Sequence, residues 1–420
     1  MKQYPFPKNR IYKIGFGAFL FAMLLLARDT LVTSCLLGFN RSQFLMLGLI
    51  FAAVVTFLIY NRRNLREIFT DSRIALLAAV TAILLIPMPV KRDWQLMYFS
   101  ILLCLYFAVF LTYFTSIQEV SRYYLVILSA LSVYAVIATY LLRIFPDNGM
   151  AVPVFRNSAD VEFYNFGLAY VTLTFVKGRN FGIFREPGVY QFFLIVGLYL
   201  NTYRANWDRA WKLWTVNCIL AATMLTTFAT GGVIEMGLLA AVLFFDKGWY
   251  KQKRARRIAI VLVLIALLGI TVILLQGGDM AIALTGMVTK LFNGADSSTE
   301  RMDAIVSDVQ IFLRHPIFGA KLGEVLHSVE NNTTSTMILF AVFGIAGGLL
   351  NVAAWVALVW EKPQKIWVNF ALLLILFMSF NTANLVADVF FWLFPAMALA
   401  ERGLPLLKNR KEKKHESAAA

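Results

Sequence analysis

Apolar residues run along this chain in blocks of about 20, the length of a helix that crosses a bilayer. Polar residues gather in the gaps between blocks. About twelve blocks stand out, near 14–28, 42–60, 74–90, 95–114, 123–145, 187–203, 213–230, 232–246, 258–275, 335–360, 366–382 and 387–400. The pattern predicts an all-α fold, a polytopic membrane helix bundle of about twelve spans forming one integral membrane domain over 1–420. Blocks 74–90 and 387–400 are short, and Pro87 and Pro89 are expected to end the third span. Two gaps are long, 146–186 and 276–335, and both are expected to contain short amphipathic helices. Long loops are where function concentrates.

The second long loop has readable structure. Ser297 and Glu300 fit a capping box, with serine as N-cap and glutamate three residues later. Met302, Ile305, Val306, Val309, Phe312 and Leu313 follow at the spacing of one apolar helical face. Pro316 sets the end of that helix. Such a helix would lie along the membrane surface or over the bundle. Arg301 falls in its first turn, on or near the polar face, and Arg314 at its end.

Composition sharpens this picture. The chain is 60% hydrophobic and 15% charged, the balance of an integral membrane protein. Its net charge of +15 does not point to nucleic acid, because the basic residues sit in short gaps and tails. With the N-terminus inside, the cytoplasmic segments are the N-terminus, 61–73, 115–122, 204–212, 247–257, 361–365 and the tail 401–420. These hold 26 of the 39 lysines and arginines. Both termini are then cytoplasmic and both long loops extracytoplasmic, with Lys247 to Arg257 the strongest anchor. The first block lacks a small-residue cleavage site and reads as a retained span. Cys35, Cys104 and Cys218 have neither disulfide nor metal-ligand spacing and read as packing residues. No HExxH, DxD or Walker-type loop occurs, so neither a metal nor another cofactor is expected.

Two polar clusters crowd against the apolar blocks. In KGRNFGIFREPGVYQFFL, Lys177 to Leu194, Arg179, Arg185 and Glu186 stand at the mouth of a span. From Ser297 to Gly323 the arrangement returns with Glu300, Arg301, Arg314 and His315. Charge is costly at a membrane boundary and usually holds something charged. Arginine's planar fork suits phosphate, which makes Arg156, Arg179, Arg185, Arg301 and Arg314 candidate ligands for an anionic group. The alternative is pairing with Asp160, Glu186, Glu300, Asp303 or Asp308, or snorkelling to headgroups. Glu186 reads either as a base or as an orienter of a neighbouring arginine. His327, in LHSVENNTTST, is a titrating or substrate-binding candidate, with a plain surface role the alternative; His315 reads as structural. TTFATGGVIEM, Thr226 to Met236, is a tight turn or a helix break whose hydroxyls bind sugar or satisfy backbone. Tyr164, Tyr170 and Phe184 would stack on sugar rings or belong to an interfacial belt.

Taken in order, these segments resemble a family. GRNFGIFREPGVYQ is similar to the GRxxGxFxEP signature of Wzy-type O-antigen and capsular polysaccharide polymerases. TTFATGG is similar to the Thr/Ser-rich turn that follows it. STERMDAIVSDVQIFLRHPIFGAKLG resembles the large extracytoplasmic loop of the O-antigen ligase/polymerase superfamily. NNTTSTMILFAVFGIAGGLL resembles the re-entry into the membrane, and the four together cover roughly the second half of the chain. The resemblance implies a metal-independent, inverting glycosyl transfer at the outer face of a bacterial cytoplasmic membrane. Donor and acceptor would both be oligosaccharide repeat units on undecaprenyl diphosphate, and the family leaves room for a chain-length regulator protein as a partner. Arg179, Arg185 and Glu186 fall in the first motif and Arg301 on the loop-helix arginine. Their implied role is to hold the diphosphate and stabilise the leaving group, with Glu186 or His327 taking the acceptor proton. Many members carry a His-Asn pair before the re-entering span, where this chain has Thr333 and Thr334. That departure favours a polymerase over a ligase.

Three other readings remain open on sequence: a ligase of the same superfamily, a lipid-linked oligosaccharide flippase, and a cell-wall polymerase relying on Asp160 or Glu324. Few intramembrane charges (Arg28, Asp29, Glu235 and Asp388, near span ends) and the lack of an internal repeat argue against a transporter.

Overall fold

The computed structural model describes residues 10–27, 30–64, 67–68, 71–145, 151–156, 162–172, 179–277, 285, 296–329, 332–360 and 365–401. The expectations placed on the tail beyond 401, on Arg28 and Asp29, on Asp160 and on the first part of the second long segment lie outside the described residues. Helices dominate the chain, and one stands over each predicted apolar block. They are α1 Arg10–Leu25, α2 Phe39–Tyr60, α3 Ser72–Leu85 with α4 Pro87–Lys91, α5 Leu96–Leu111 and α6 Ile117–Ile144. After the first long segment come α7 Pro187–Tyr203, α8 Ala210–Thr226, α9 Thr230–Asp246 and α10 Lys253–Gln276. The second long segment contributes α11 Asp296–Arg314 and α12 Leu322–Leu326, before α13 Ser335–Val359, α14 Ile366–Phe380 and α15 Val389–Glu401. Among the described residues, Arg41–Tyr60, Arg73–Lys91, Ile117–Leu142 and Ser335–Val359 are long and apolar enough to cross a membrane by length and composition.

The first helix of the third block, α3, ends at Leu85, just before Pro87. Pro87 occupies the first turn of α4, where its missing N–H would have had no partner in any case. α4 carries the apolar stretch on to Lys91 and stops at Arg92, which is left-handed.

α7 is the central helix. Fourteen of its 17 residues are buried, as expected of a helix that is apolar all round. It is packed by α6, α8, α9 and α14. Gly197 makes the fit possible, since a Cβ there would lie 2.9 Å from a Leu128 methyl and 3.0 Å from one of Leu220.

The first long segment corrects the all-α expectation. Its described residues form, rather than amphipathic helices, a four-stranded antiparallel sheet in the order β1-β2-β3-β4. The strands are β1 Val154–Arg156, β2 Glu162–Asn165, β3 Tyr170–Thr172 and β4 Asn180–Gly182. Each is only three or four residues long, too short for alternation to declare itself. Their aromatic and β-branched content suits strands. Phe163, Tyr170 and Phe181 close with Leu31 into a small core. Tyr164 and Val171 pack on Leu142 at the end of α6.

The second long segment is locked to the bundle by two glycines. α13 is broken at Gly344, which adopts φ 65°, ψ −163°, a conformation open essentially to glycine alone. The stretch after α11 enters that break: Ile345 N donates to Pro316 O at 2.8 Å and Ala320 N to Ala341 O at 2.7 Å. A Cβ at Gly344 would sit 2.2 Å from Ile317 O, and one at Gly319 would sit 2.2 Å from Val342 O. Backbone meets backbone at both places, so neither side can yield. Lys91 Nζ donates to Ala320 O and Val342 O, and Asp93 accepts from Leu322 N at 2.7 Å. The HPIFG element is thereby a docking device.

Candidate functional site

The site is assembled where α7 begins, where α8 turns into α9, and where α11 brings Arg301 within electrostatic reach of Glu186 and Glu235. Pro187 in the first turn fixes the start of α7, and Glu186 precedes it in an extended conformation. The Glu186 side chain makes no capping hydrogen bond. Its carboxylate is half-exposed, 3.2 Å from the Arg185 guanidinium. This pair is the open part of the site.

Arg179 has a different task. Its Nε donates to Thr227 O at 3.1 Å and its Nη2 to Phe228 O at 3.3 Å. These are carbonyls at the C-terminal end of α8, a natural place for arginine. Asn180 Nδ2 donates to Thr226 Oγ1 at 2.9 Å, so Arg179 and Asn180 strap the sheet to the α8–α9 turn. Burial pushes the Arg179 pKa down. The turn's hydroxyls are also satisfied locally, Thr226 Oγ1 by Thr223 O and Thr227 Oγ1 by Met224 O, both at 2.7 Å. That favours the structural reading of the threonine-rich turn.

The two glycines of that turn have a packing reason. A Cβ at Gly232 would lie 2.4 Å from Met224 Sδ and 2.8 Å from Gln191 Cγ, and one at Gly231 would lie 3.1 Å from Gln191 Nε2. Their absence of side chains lets Gln191 of α7 reach α9. There Gln191 Nε2 donates to Glu235 Oε1 at 2.9 Å. Glu235 is buried in the second turn of α9, and its Oε2 has no hydrogen-bond partner among the described residues. Ser379 is near enough to act on this carboxylate, yet Ser379 Oγ also lacks a partner.

α11 brings Arg301 to this group. The helix begins at Asp296, one residue before the predicted N-cap Ser297, whose side chain lies outside the described residues. Arg301 is half-buried, and desolvation pulls its pKa down. Glu235, Glu186 and Glu300, in that order of strength, pull it back up. A guanidinium stays protonated under any such balance. Two clusters 115 positions apart, at Glu186 and Arg301, thus share one electrostatic environment.

The side that α11 turns to the bundle is not its apolar stripe. Arg301 is on the docked side with Ala304, Asp308 and Ile311, the last three buried. Met302, Val306 and Leu313 are 60%, 47% and 68% exposed. The reason lies in the receiving surface: the start of α13 offers polar groups. Asp308 accepts from Asn332 Nδ2 at 2.7 Å and from Thr334 Oγ1. Burial raises the Asp308 carboxyl to about 6, with the Thr334 and Asn332 bonds opposing. Thr334, just before the start of α13, is an anchor for α11. Phe312 completes the contact edge-on to Phe340, with ring centroids 5.4 Å apart.

Other predicted residues lie apart. Arg156 pairs with Glu162 across β1 and β2. Arg314 is at the far end of α11, about 20 Å along the axis from Arg301 at 1.5 Å per residue. His327 is exposed at the end of α12, and His315 is exposed after α11. Tyr164 and Tyr170 are buried in the sheet, and Phe184 stacks 4.3 Å from Phe193, so these rings serve packing. Glu235 and Gln191 were the residues that motif reading missed. The available signal was an acid within an apolar block, which in a membrane is a functional candidate by default.

The open Arg185–Glu186 pair, electrostatically linked to the half-buried Arg301, can receive an anion and has a carboxylate at hand for a proton. Among the described residues no group of three or more His, Cys, Asp or Glu could hold a metal ion. No family model matches this chain, and no curated protein or solved structure matches it either. The polymerase resemblance rests on the motifs quoted above.

Proposed function

We propose that this chain is a membrane glycosyltransferase that polymerises oligosaccharide repeat units carried on undecaprenyl diphosphate. The observation that supports the reading most is the electrostatic influence on Arg301 of Glu186, the ion-pair partner of Arg185. In the proposed reaction an acceptor sugar hydroxyl attacks the anomeric carbon of the donor. The bond from that carbon to the diphosphate oxygen breaks, and the configuration inverts. Arg185 and Arg301 hold the departing diphosphate, whose negative charge grows as the bond breaks. Glu186 takes the acceptor proton, since it is the half-exposed carboxylate next to both cations. His327, exposed at the end of α12, is the lesser candidate. Arg179 supports the site from below through the α8–α9 turn.

In this reading all twelve apolar helices cross the bilayer, with both termini cytoplasmic and the Arg301 site outside. The product would be O-antigen or capsular polysaccharide, and the mechanism needs no metal. The test is incubation of the purified protein with a matched lipid-diphosphate-linked repeat unit, read as a glycan ladder. A ladder in EDTA and without nucleotide is expected. Transfer only to a different acceptor would favour a ligase, and movement of the lipid across vesicles without a ladder would favour a flippase.

A further inference from the structure

At the opposite end of α7, α8 and α9 from Glu186 and Glu235 is a groove of about 350 Å³. Leu198, Ala221 and Leu239 line its inner part, and Trp214, Trp249 and Lys247 its mouth. It is a graded site. The walls are aliphatic, while polar and aromatic groups collect at one end. Trp214 and Trp249 stack there with ring centroids 5.7 Å apart, the rings that favour a bilayer interface. Lys247 Nζ is half-exposed, 5.7 Å from the Tyr203 ring centroid and 3.8 Å from Asp246 Oδ2. Thr202 Oγ1, also in the lining, is buried with no hydrogen-bond partner among the described residues. From Met236 to Lys247 the groove follows α9 for about 16 Å, three turns of helix.

The surroundings of the mouth are strongly basic. Lys251, Lys253, Arg254, Arg256 and Arg257 are all exposed immediately after it. An apolar channel that opens at a cation, an aromatic pair and a basic surface complements a molecule with one long apolar chain and an anionic head. We propose that this groove binds one acyl chain of an anionic phospholipid from the leaflet opposite the Arg301 site, with the headgroup phosphate at Lys247. The inference requires that α7 to α9 lie in a bilayer, and it is independent of the polymerase reading. It places the lipid headgroup, at Lys247, about 18 Å along α9 from Glu235, with the apolar groove between them.

The experiment is native mass spectrometry of the full chain in detergent, titrated with phosphatidylglycerol or phosphatidylcholine of identical acyl chains. Phosphatidylglycerol should form the first adduct with about five-fold higher affinity, the effect of one close basic contact. Lys247→Gln should bring the two lipids level, while Lys251→Gln, outside the groove, should leave the preference in place. Ala240→Phe, at an exposed position of the lining, should reduce binding of both lipids with thermal stability unchanged. Equal binding of the two lipids by the wild type would overturn the proposal. So would adducts indifferent to both Lys247→Gln and Ala240→Phe, or displacement of phosphatidylglycerol by equimolar undecaprenyl phosphate, which would assign the groove to a polyprenyl chain.

Discussion

Asp308 makes the docking of α11 dependent on pH, in a direction opposite to that of a salt-bridged aspartate. Docked, its carboxyl is raised to about 6 from its ordinary 3.8 by burial. Released into water, it returns to the ordinary value. The docked state therefore binds more protons between these values, so stability is full below pH 3.8 and falls as pH rises through 6. At pH 7 the penalty for holding the anion in place is on the order of 3 kcal/mol. Between pH 5 and pH 7 the equilibrium for opening α11 should shift by about ten-fold. Hydrogen exchange of the α11 amides, corrected for intrinsic rates, reads this opening directly. The wild type should lose about ten-fold protection from pH 5 to pH 7. Asp308→Asn, which still accepts from Asn332 and carries no charge, should show flat protection and should be the better protected at pH 7. A flat wild-type profile, or the same slope in Asp308→Asn, would refute the assignment of the raised carboxyl to the docked state.

Three other outcomes follow from the geometry. Glu235→Gln should keep the Gln191 contact but remove a negative charge beside Arg301, tightening inorganic pyrophosphate binding several-fold, by ~1 kcal/mol, in calorimetric titration; weaker binding would show that the charge orients Arg301 instead. Gly232→Ala should destabilise the protein by about 1–3 kcal/mol through overpacking against Met224 and Gln191, seen as a lower thermal midpoint, and an unchanged midpoint would contradict the close approach. Arg314→Ala should leave elongation within about two-fold of wild type, since surface charges away from the site change little; a large loss would place it in the substrate path.

Much of the fold is legible in the chain because apolar blocks of bilayer length are an unambiguous signal. Block 187–203 coincides with α7 residue for residue, since Pro187 marks its start. The sheet was illegible because three-residue strands such as Tyr170–Thr172 carry no periodicity, and their pairing comes from tertiary packing. The helix over 296–314 was readable as an element but not in its orientation. An apolar stripe identifies a face without saying whether protein or lipid receives it, and here the start of α13 receives Asp308 instead. The motif at 179–186 sets Arg185 beside Glu186, yet it could not show that Arg179 is bound to the α8–α9 turn. Glu235 was visible as an isolated acid, but its partner Gln191 is 44 positions away and meets it only because Gly231 and Gly232 admit it.

The central claim is that Arg301 and the Arg185–Glu186 pair form one diphosphate-handling site. Its most direct test is the glycan-ladder assay on wild type, Arg301→Ala and Arg185→Ala, purified at matched levels with a lipid-diphosphate-linked repeat unit. The account predicts a wild-type ladder and elongation reduced by about a hundred-fold or more in each variant, the scale of removing one electrostatic stabiliser. Normal ladders from both variants would contradict it.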